Sequence, residues 1–269
     1  MHRTSLVMTF VSLVLAAAPV LAAEPRRMTM EVEGQEREWL VFAPATAQAE
    51  PTPVVFAFHG HGGSMQNAAR SFRIHTHWPE AIVVYPQGLP TATRLDPQGQ
   101  RAGWSTRDVT FVDAMLQKLQ AEYRVDERRL YCMGHSNGGG FTYTLWALRG
   151  ERWAALAPSA AAPQPERAAR LRPLPLLHLA GRTDQVVRFA DQERTMAAVR
   201  ERNGCEATGK PWEEHGTWYE SKAGAPMVAY IHAGGHRFPS EFSPAIVKFF
   251  KSQVRPERTR PEGEDPPLK

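Results

Sequence analysis

The stretch C-M-G-H-S-N-G-G-G, Cys132 to Gly140, sets four glycines around one serine. Glycine held in an ordered position costs conformational entropy, so such a cluster marks backbone that a side chain would forbid. An apolar run without helical spacing, Arg129 to Met133, precedes it, and a helical pattern, Ser136 to Leu148, follows. Strand, bend and helix in that order make a nucleophile elbow, in which the serine takes strained backbone angles and its hydroxyl stands clear of the sheet. The helix start also aims free N–H groups and the positive end of its dipole at any oxyanion formed on Ser136. The pattern G-x-S-x-G arises by chance in roughly one chain in ten of this length, so the surrounding sequence has to decide.

Working outward, short apolar runs alternate with helical patterns. Pro53 to Phe58, Ala81 to Tyr85, Trp153 to Ala157, Leu174 to Leu179 and Met227 to Ile231 read as buried strands, and Met28 to Ala43 as a hairpin around Glu33-Gly34. Asp108 to Tyr123, Phe189 to Glu201 and Phe242 to Val254 read as helices, the first opened by a cap at Thr106 or Asp108. The alternation predicts an α/β fold: a mostly parallel sheet, helices on both faces, and an antiparallel N-terminal edge. Two stretches break the pattern, Leu89 to Gly103 and Lys210 to Pro226, the latter with Trp212 and Trp218; both are candidates to lie over a site.

A serine hydroxyl is a weak nucleophile at neutral pH, so an imidazole must take its proton and a carboxylate must hold that imidazole in one tautomer. On such a sheet the chain order is Ser, acid, His, each after a later strand. The run Pro175 to Gly181 leads into Asp184, and the run from Met227 leads through Gly234-Gly235 into His236. Ser136, Asp184 and His236 are therefore the candidate catalytic residues. The loop His59-Gly60-His61-Gly62-Gly63-Ser64 follows a strand, and its His61 N–H, with that of Asn137, is the candidate oxyanion hole. His232 competes with His236, but the glycines before His236 mark a loop able to swing an imidazole to the elbow. His59, His135 and His178 read as packing or hydrogen-bonding residues, Asp191 as a solvent-facing helix residue, and Asp113 as a helix-face charge. Trp104 is a substrate-platform candidate with packing as its alternative role.

Composition bounds the rest. The chain has 269 residues, 42% hydrophobic and 22% charged, with a net charge of +4, as expected for a folded catalytic domain, 23–254. Arginines scattered among acids, without a basic patch interleaved with aromatics, argue against nucleic-acid binding. Met1 to Ala22 reads as a signal peptide: a positive start, the apolar run Leu6 to Leu21, and Val20-Leu21-Ala22 at the cleavage site. That predicts a secreted or periplasmic chain without a stable membrane anchor after cleavage. Arg255 to Lys269, rich in proline and charge, reads as a disordered tail. Cys132 and Cys205 leave a disulfide open. His75/His77 and His59/His61 lack a third ligand, so no metal is expected, and the proposed chemistry needs no cofactor.

HGHGGS, VVYPQGL, Asp108 to Phe111, YRVDERRLYCMGHSNGGG, HLAGRTDQVV, Asn203-Gly204-Cys205 and GGHRFP together resemble the secreted α/β-hydrolase esterases called polyhydroxybutyrate depolymerase-like or LpqC-like, which include feruloyl and acetylxylan esterases. The resemblance covers about residues 53–250. It implies an α/β-hydrolase fold, Ser136 as nucleophile, Asp184 as acid and His236 as base, and a small-molecule or oligomeric ester as substrate. Relatives carry more cysteines and form disulfides, a feature not matched here. A prolyl oligopeptidase-like peptidase and a catalytically silent binding protein are the alternatives; the chain lacks room for the peptidase's propeller.

Overall fold

The turn Glu33-Gly34, with φ of 52° and 75°, joins β1 (Arg26–Val32) to β2 (Gln35–Phe42) as the expected hairpin; two positive φ values suit the twist of the flanking strands. The computed structural model describes residues 24–257, so the expected signal peptide and most of the expected tail lie outside the described residues. Further along come β3 (Thr52–Phe58), α1 (Met65–Phe72), α2 (Ile74–His77) and β4 (Ile82–Pro86). A short ribbon, β5 (Leu89–Pro90) with β6 (Ala102–Gly103), precedes α3 (Asp108–Glu122), β7 (Val125–His135) and α4 (Asn137–Arg149). Then follow β8 (Ala155–Ser159), α5 (Pro165–Ala168), β9 (Leu176–Gly181), α6 (Phe189–Arg202), β10 (Lys210–Trp212), β11 (Gly216–Tyr219), β12 (Met227–His232) and α7 (Ser243–Lys251).

Ten strands form one sheet in the order β1-β2-β4-β3-β7-β8-β9-β12-β11-β10. The six from β4 to β12 run parallel, with an antiparallel hairpin on each edge. Every residue of β3 is buried. Val54, Phe56 and Phe58 face a core shared with Phe111, Phe141 and Met196, while Val55 and Ala57 face the opposite core with Met65, Phe249 and Phe250. Period-2 alternation thus feeds two apolar layers at once, which is why these strands read as unbroken hydrophobic runs. From β3 the chain crosses to β4 on one side and then returns to β7 on the other. That reversal opens a crevice beyond the strands' C-terminal ends, the usual ligand position in such sheets.

Some expectations need correction. Lys210 to Pro226 does not cover a site: it supplies β10 and β11, with Trp212 and Trp218 packed on Phe249 of α7. Its short strands around a tight turn carry too few residues for a period to show. Neither Thr106 nor Asp108 is the N-cap of α3; Arg107 takes that position. The Asp108 carboxylate instead accepts the Ser105 N–H at 2.8 Å and pairs with Arg37 at 2.7 Å, both side chains buried. Arg37 also lies 4.0 Å from the Phe111 ring centroid, so one ion pair ties β2 to the start of α3. Asp113 is the expected helix-face charge, paired with Arg149 and Arg152. Cys132 and Cys205 are both free thiols. In the expected tail, Arg255 donates its N–H to Arg128 and Glu257 pairs with Arg128. Among the described residues no helix is long and apolar enough to cross a membrane.

Candidate active site

Ser136 stands between β7 and α4 with φ 57° and ψ −119°, a conformation costing a non-glycine residue about 1–3 kcal/mol. Its N–H donates to Ser159 at 2.8 Å, and its carbonyl receives the Gly140 N–H at 2.9 Å. These bonds on both sides hold the strained residue. Packing explains the neighbouring glycine: a Cβ on Gly138 would lie 2.3 Å from the Phe58 carbonyl oxygen and 2.5 Å from that of His59. Only a bare backbone lets the first turn of α4 approach the end of β3 so closely.

The loops after β9 and β12 bring Asp184 and His236 to this bend. His236 Nε2 lies 2.8 Å from Ser136 Oγ, and His236 Nδ1 lies 2.8 Å from Asp184 Oδ2. A carboxylate only accepts, so Nδ1 carries the proton and Nε2 is left to accept from the serine hydroxyl. Asp184 is 1% exposed. Its Oδ1 accepts the N–H groups of Val186 and Val187 at 2.9 and 3.0 Å, and its Oδ2 also accepts Gln192 Nε2 at 3.0 Å. Four donors therefore hold this carboxylate in place.

Sequence reading missed how far that network runs. Gln192 Nε2 also donates to the Val187 carbonyl at 2.7 Å, so its Oε1 faces His178 Nε2 at 3.2 Å, and His178 Nδ1 faces the Tyr143 hydroxyl at 2.8 Å. Because Gln192 must donate to both oxygens, His178 donates from Nε2 and accepts from Tyr143; every bond points toward Asp184. Burial pushes His178 down to about 4, which keeps the ring neutral. A sequence signal existed for Gln192: with Thr195, Met196 and Val199 it forms the buried stripe of α6 at helical spacing.

The other histidines are occupied elsewhere. His59 Nδ1 donates to the Gly60 carbonyl at 2.7 Å, its Nε2 accepts the Gly88 N–H at 3.0 Å, and burial lowers its pKa. His232 Nδ1 accepts the Gly234 N–H at 3.1 Å, so the structure brings His236 and not His232 to Ser136. His135 lies against His236 with ring centroids 5.1 Å apart and Nδ1 3.1 Å from Ser159 Oγ. Burial first, then the neighbouring His236, push His135 down to about 4, so no second cation stands beside the triad at neutral pH. His75 Nδ1 bonds the Tyr85 hydroxyl at 2.9 Å. Among the described residues no three metal-ligating side chains converge.

The loop after β3 borders the serine: a Cβ on Gly60 would lie 3.6 Å from that of Ser136. The His61 ring lies 3.3 Å from Asp96 of the segment between β5 and β6, with neither ring nitrogen hydrogen-bonded among the described residues. Asn137, at the helix start, clamps Trp104 with its side chain, accepting the Trp104 N–H at 2.6 Å and donating to its carbonyl at 3.2 Å. Its own N–H is among the first four of α4, which have no partner within the helix. A cleft of about 370 Å³ opens over Ser136, walled by Leu95, Trp104, Phe141, Ala161, Arg167 and Val186 among others. The Leu89 to Gly103 stretch does border it, as expected. Trp104 is 4% exposed, stacks on Phe141 at 5.4 Å and donates its indole N–H to the His59 carbonyl at 2.9 Å. It is a fixed, packed part of the cleft wall.

No family model matches the chain. Its sequence is similar to feruloyl esterase D of Neurospora crassa, 26% identical over 268 residues, covering 88% of this chain and 90% of that protein. It is 28% identical over 179 residues to a bifunctional acetylxylan esterase/xylanase of Neocallimastix patriciarum, covering 64% of this chain but only a quarter (25%) of that longer protein. Among solved structures it superposes on an S-formylglutathione hydrolase from Agrobacterium tumefaciens with a TM-score of 0.63 at 14% identity, covering 89% of this chain and 99% of that one. A ferulic acid esterase gives 0.62 at 15% identity, covering 85% and 97%. The fold is that of the α/β-hydrolases. Fold and relatives together place the chain among carboxylic ester hydrolases.

Proposed function

We propose that the chain is a secreted serine carboxylesterase working through an acyl-enzyme. One observation carries the reading: the unbroken hydrogen-bonded line Ser136–His236–Asp184, with 2.8 Å at each step. His236 takes the hydroxyl proton as Ser136 Oγ attacks the ester carbonyl, and Asp184 stabilises the imidazolium that results. The N–H groups of His61 and Asn137 hold the developing oxyanion. The imidazolium then protonates the leaving alkoxide, and water, deprotonated by His236, releases the acid. The chemistry needs no cofactor or metal.

Feruloyl, acetyl and hydroxyalkanoate oligomer esters are the substrate candidates, the first two supported by what the relatives are named for. Secretion is supported by the apolar start of the chain. A fluorophosphonate probe should label the protein at Ser136, and Ser136→Ala should lose both label and turnover of p-nitrophenyl butyrate, by at least about 10⁴-fold. Esterase activity retained in Ser136→Ala would refute the mechanism. A panel of feruloyl, acetyl-xylan and hydroxybutyrate esters with a peptide amide control then ranks the substrates.

A further inference from the structure

We propose that the Ser136 cleft selects esters carrying a carboxylate remote from the scissile bond, recognised by the guanidinium groups of Arg167 and Arg94. The inference rests on the serine esterase reading above and names the substrate class of that same site. Both arginines line the cleft with Ser136, and no Asp or Glu does. Arg167 projects from the short α5 and is gripped by two hydroxyls from different elements: Thr144 of α4, at 2.6 Å, and Thr106 before α3. Arg94 donates to the Val186 carbonyl. Among the described residues neither has a carboxylate within salt-bridge distance, whereas Arg149, Arg152, Arg188 and Arg194 all do.

A guanidinium presents five N–H donors in a rigid fork. The two hydroxyls occupy only part of Arg167's fork while fixing its plane, so it remains charged, pre-oriented and open to an anion in the cleft that Ser136 also lines. A structural role alone would be served as well by a neutral donor, and it would not explain a cleft with two cations and no acid. The rest of the lining says what the anion is attached to. Among the described residues three large apolar side chains are exposed, and two of them, Leu95 (63%) and Val186 (38%), stand on this cleft. With Phe141 and Ala161 they suit an apolar body bearing a charged end.

The positive lining also continues outward. A neighbouring groove of about 1170 Å³ shares Arg94, Ala162, Val186 and Val187 with the cleft and adds Arg188, Arg194 and Arg202 against Asp191 and Glu201. Walls of low dielectric focus such a field onto an approaching anion. The carboxylate could sit on the acyl part or on the alcohol part, and the two arms of the experiment separate them.

For the acyl arm, the p-nitrophenyl monoester of suberic acid is compared with its methyl ester; for the alcohol arm, 3-(butanoyloxy)benzoate is compared with its methyl ester. In the full chain the anionic member of at least one pair should have the higher kcat/KM, by roughly ten- to a hundredfold, as expected for charge-assisted hydrogen bonds. The ratio should collapse toward unity in Arg167→Gln/Arg94→Gln, mainly through KM, fall partway in Arg167→Lys, and shrink as salt is raised. Each ratio is internal to one protein sample, and Arg94→Gln alone alters an exposed side chain, so loss of folded material does not mimic the effect. Equal or better use of the methyl esters in both arms, or a preference unchanged in the double variant, would overturn the proposal. If the neutral esters are turned over by the full chain and not by Ser136→Ala, that failure belongs to the charge selection alone. If neutral and anionic esters alike are inert with the full chain, the esterase reading fails and this inference with it.

Discussion

Ser136 and Gly138 divide the demands of the elbow between them. Ser136 accepts a positive φ because its hydroxyl must project, and the bonds to Ser159 and Gly140 hold it there. Gly138 has an ordinary helical backbone and is required for space alone, since its Cβ would meet the carbonyl oxygens of Phe58, the last residue of β3, and of His59, the first residue after it. Gly138→Ala should therefore destabilise the fold by about 1–3 kcal/mol or more and push α4 off the end of β3, moving the Asn137 N–H away from the loop that carries His61. Denaturant midpoints and kcat should both fall. The contrasting position is Gly140, where a Cβ would meet nothing within 4 Å; Gly140→Ala should leave the midpoint unchanged or raise it, since alanine favours a helix interior by up to about 1 kcal/mol. If the two variants behaved alike, the packing account of this glycine cluster would fail.

At the next level up, the triad is held by elements whose sequences differ in how openly they announce themselves. The strand-bend-helix around Ser136, and the loops after β9 and β12, were legible because backbone requirements leave marks: glycines, apolar runs and chain order. The relay through α6 was not, because helix and strand patterns mark Gln192 and His178 as buried positions without showing that two polar side chains on different elements meet there. The same reason hid the Arg37–Asp108 pair, two charges that read as surface until placed together. The edge hairpin β10–β11 was missed because strands of three and four residues carry no measurable period. Gln192→Leu tests what the relay contributes. It keeps the bulk of the side chain but removes the donor to Asp184 and strands the His178 N–H in the core. With Asp184 less constrained, the imidazole of His236 loses its aim, and misplacement by about 1 Å can cost on the order of a hundredfold. The expected result is kcat lower by about ten- to a hundredfold with KM within about twofold, and slower fluorophosphonate labelling of Ser136 measured well below the melting temperature. A variant with normal labelling but reduced melting temperature would show that the relay only stabilises.

Among the described residues, three histidines on different elements share one property: burial holds His75, His135 and His178 down to about 4, which keeps each ring neutral. His75 lies on α2, His135 at the end of β7 and His178 within β9, so their protonation loads the sheet and both flanking layers together. An unfolded histidine titrates near about 6.5. Between that value and about 4 the unfolded chain binds protons that the folded chain refuses, and stability therefore rises with pH across this window and is lost as pH falls. Each fully excluded group contributes up to about 1.4 kcal/mol per pH unit, a limit that His178, with no exposed surface, comes nearest to reaching. The groups facing His178 are the Tyr143 hydroxyl and the Gln192 amide, neither of which charges in this range, so replacing this histidine removes one titration without uncovering another. Urea midpoints at pH 7 and pH 5 should differ, with the lower value at pH 5. His178→Asn should be less stable than the parent at pH 7 yet show a smaller drop between the two pH values. An equal drop in both proteins would mean that His178 takes up its proton over the same pH range folded as unfolded, and the neutral ring and the donor direction assigned to the relay would then be wrong.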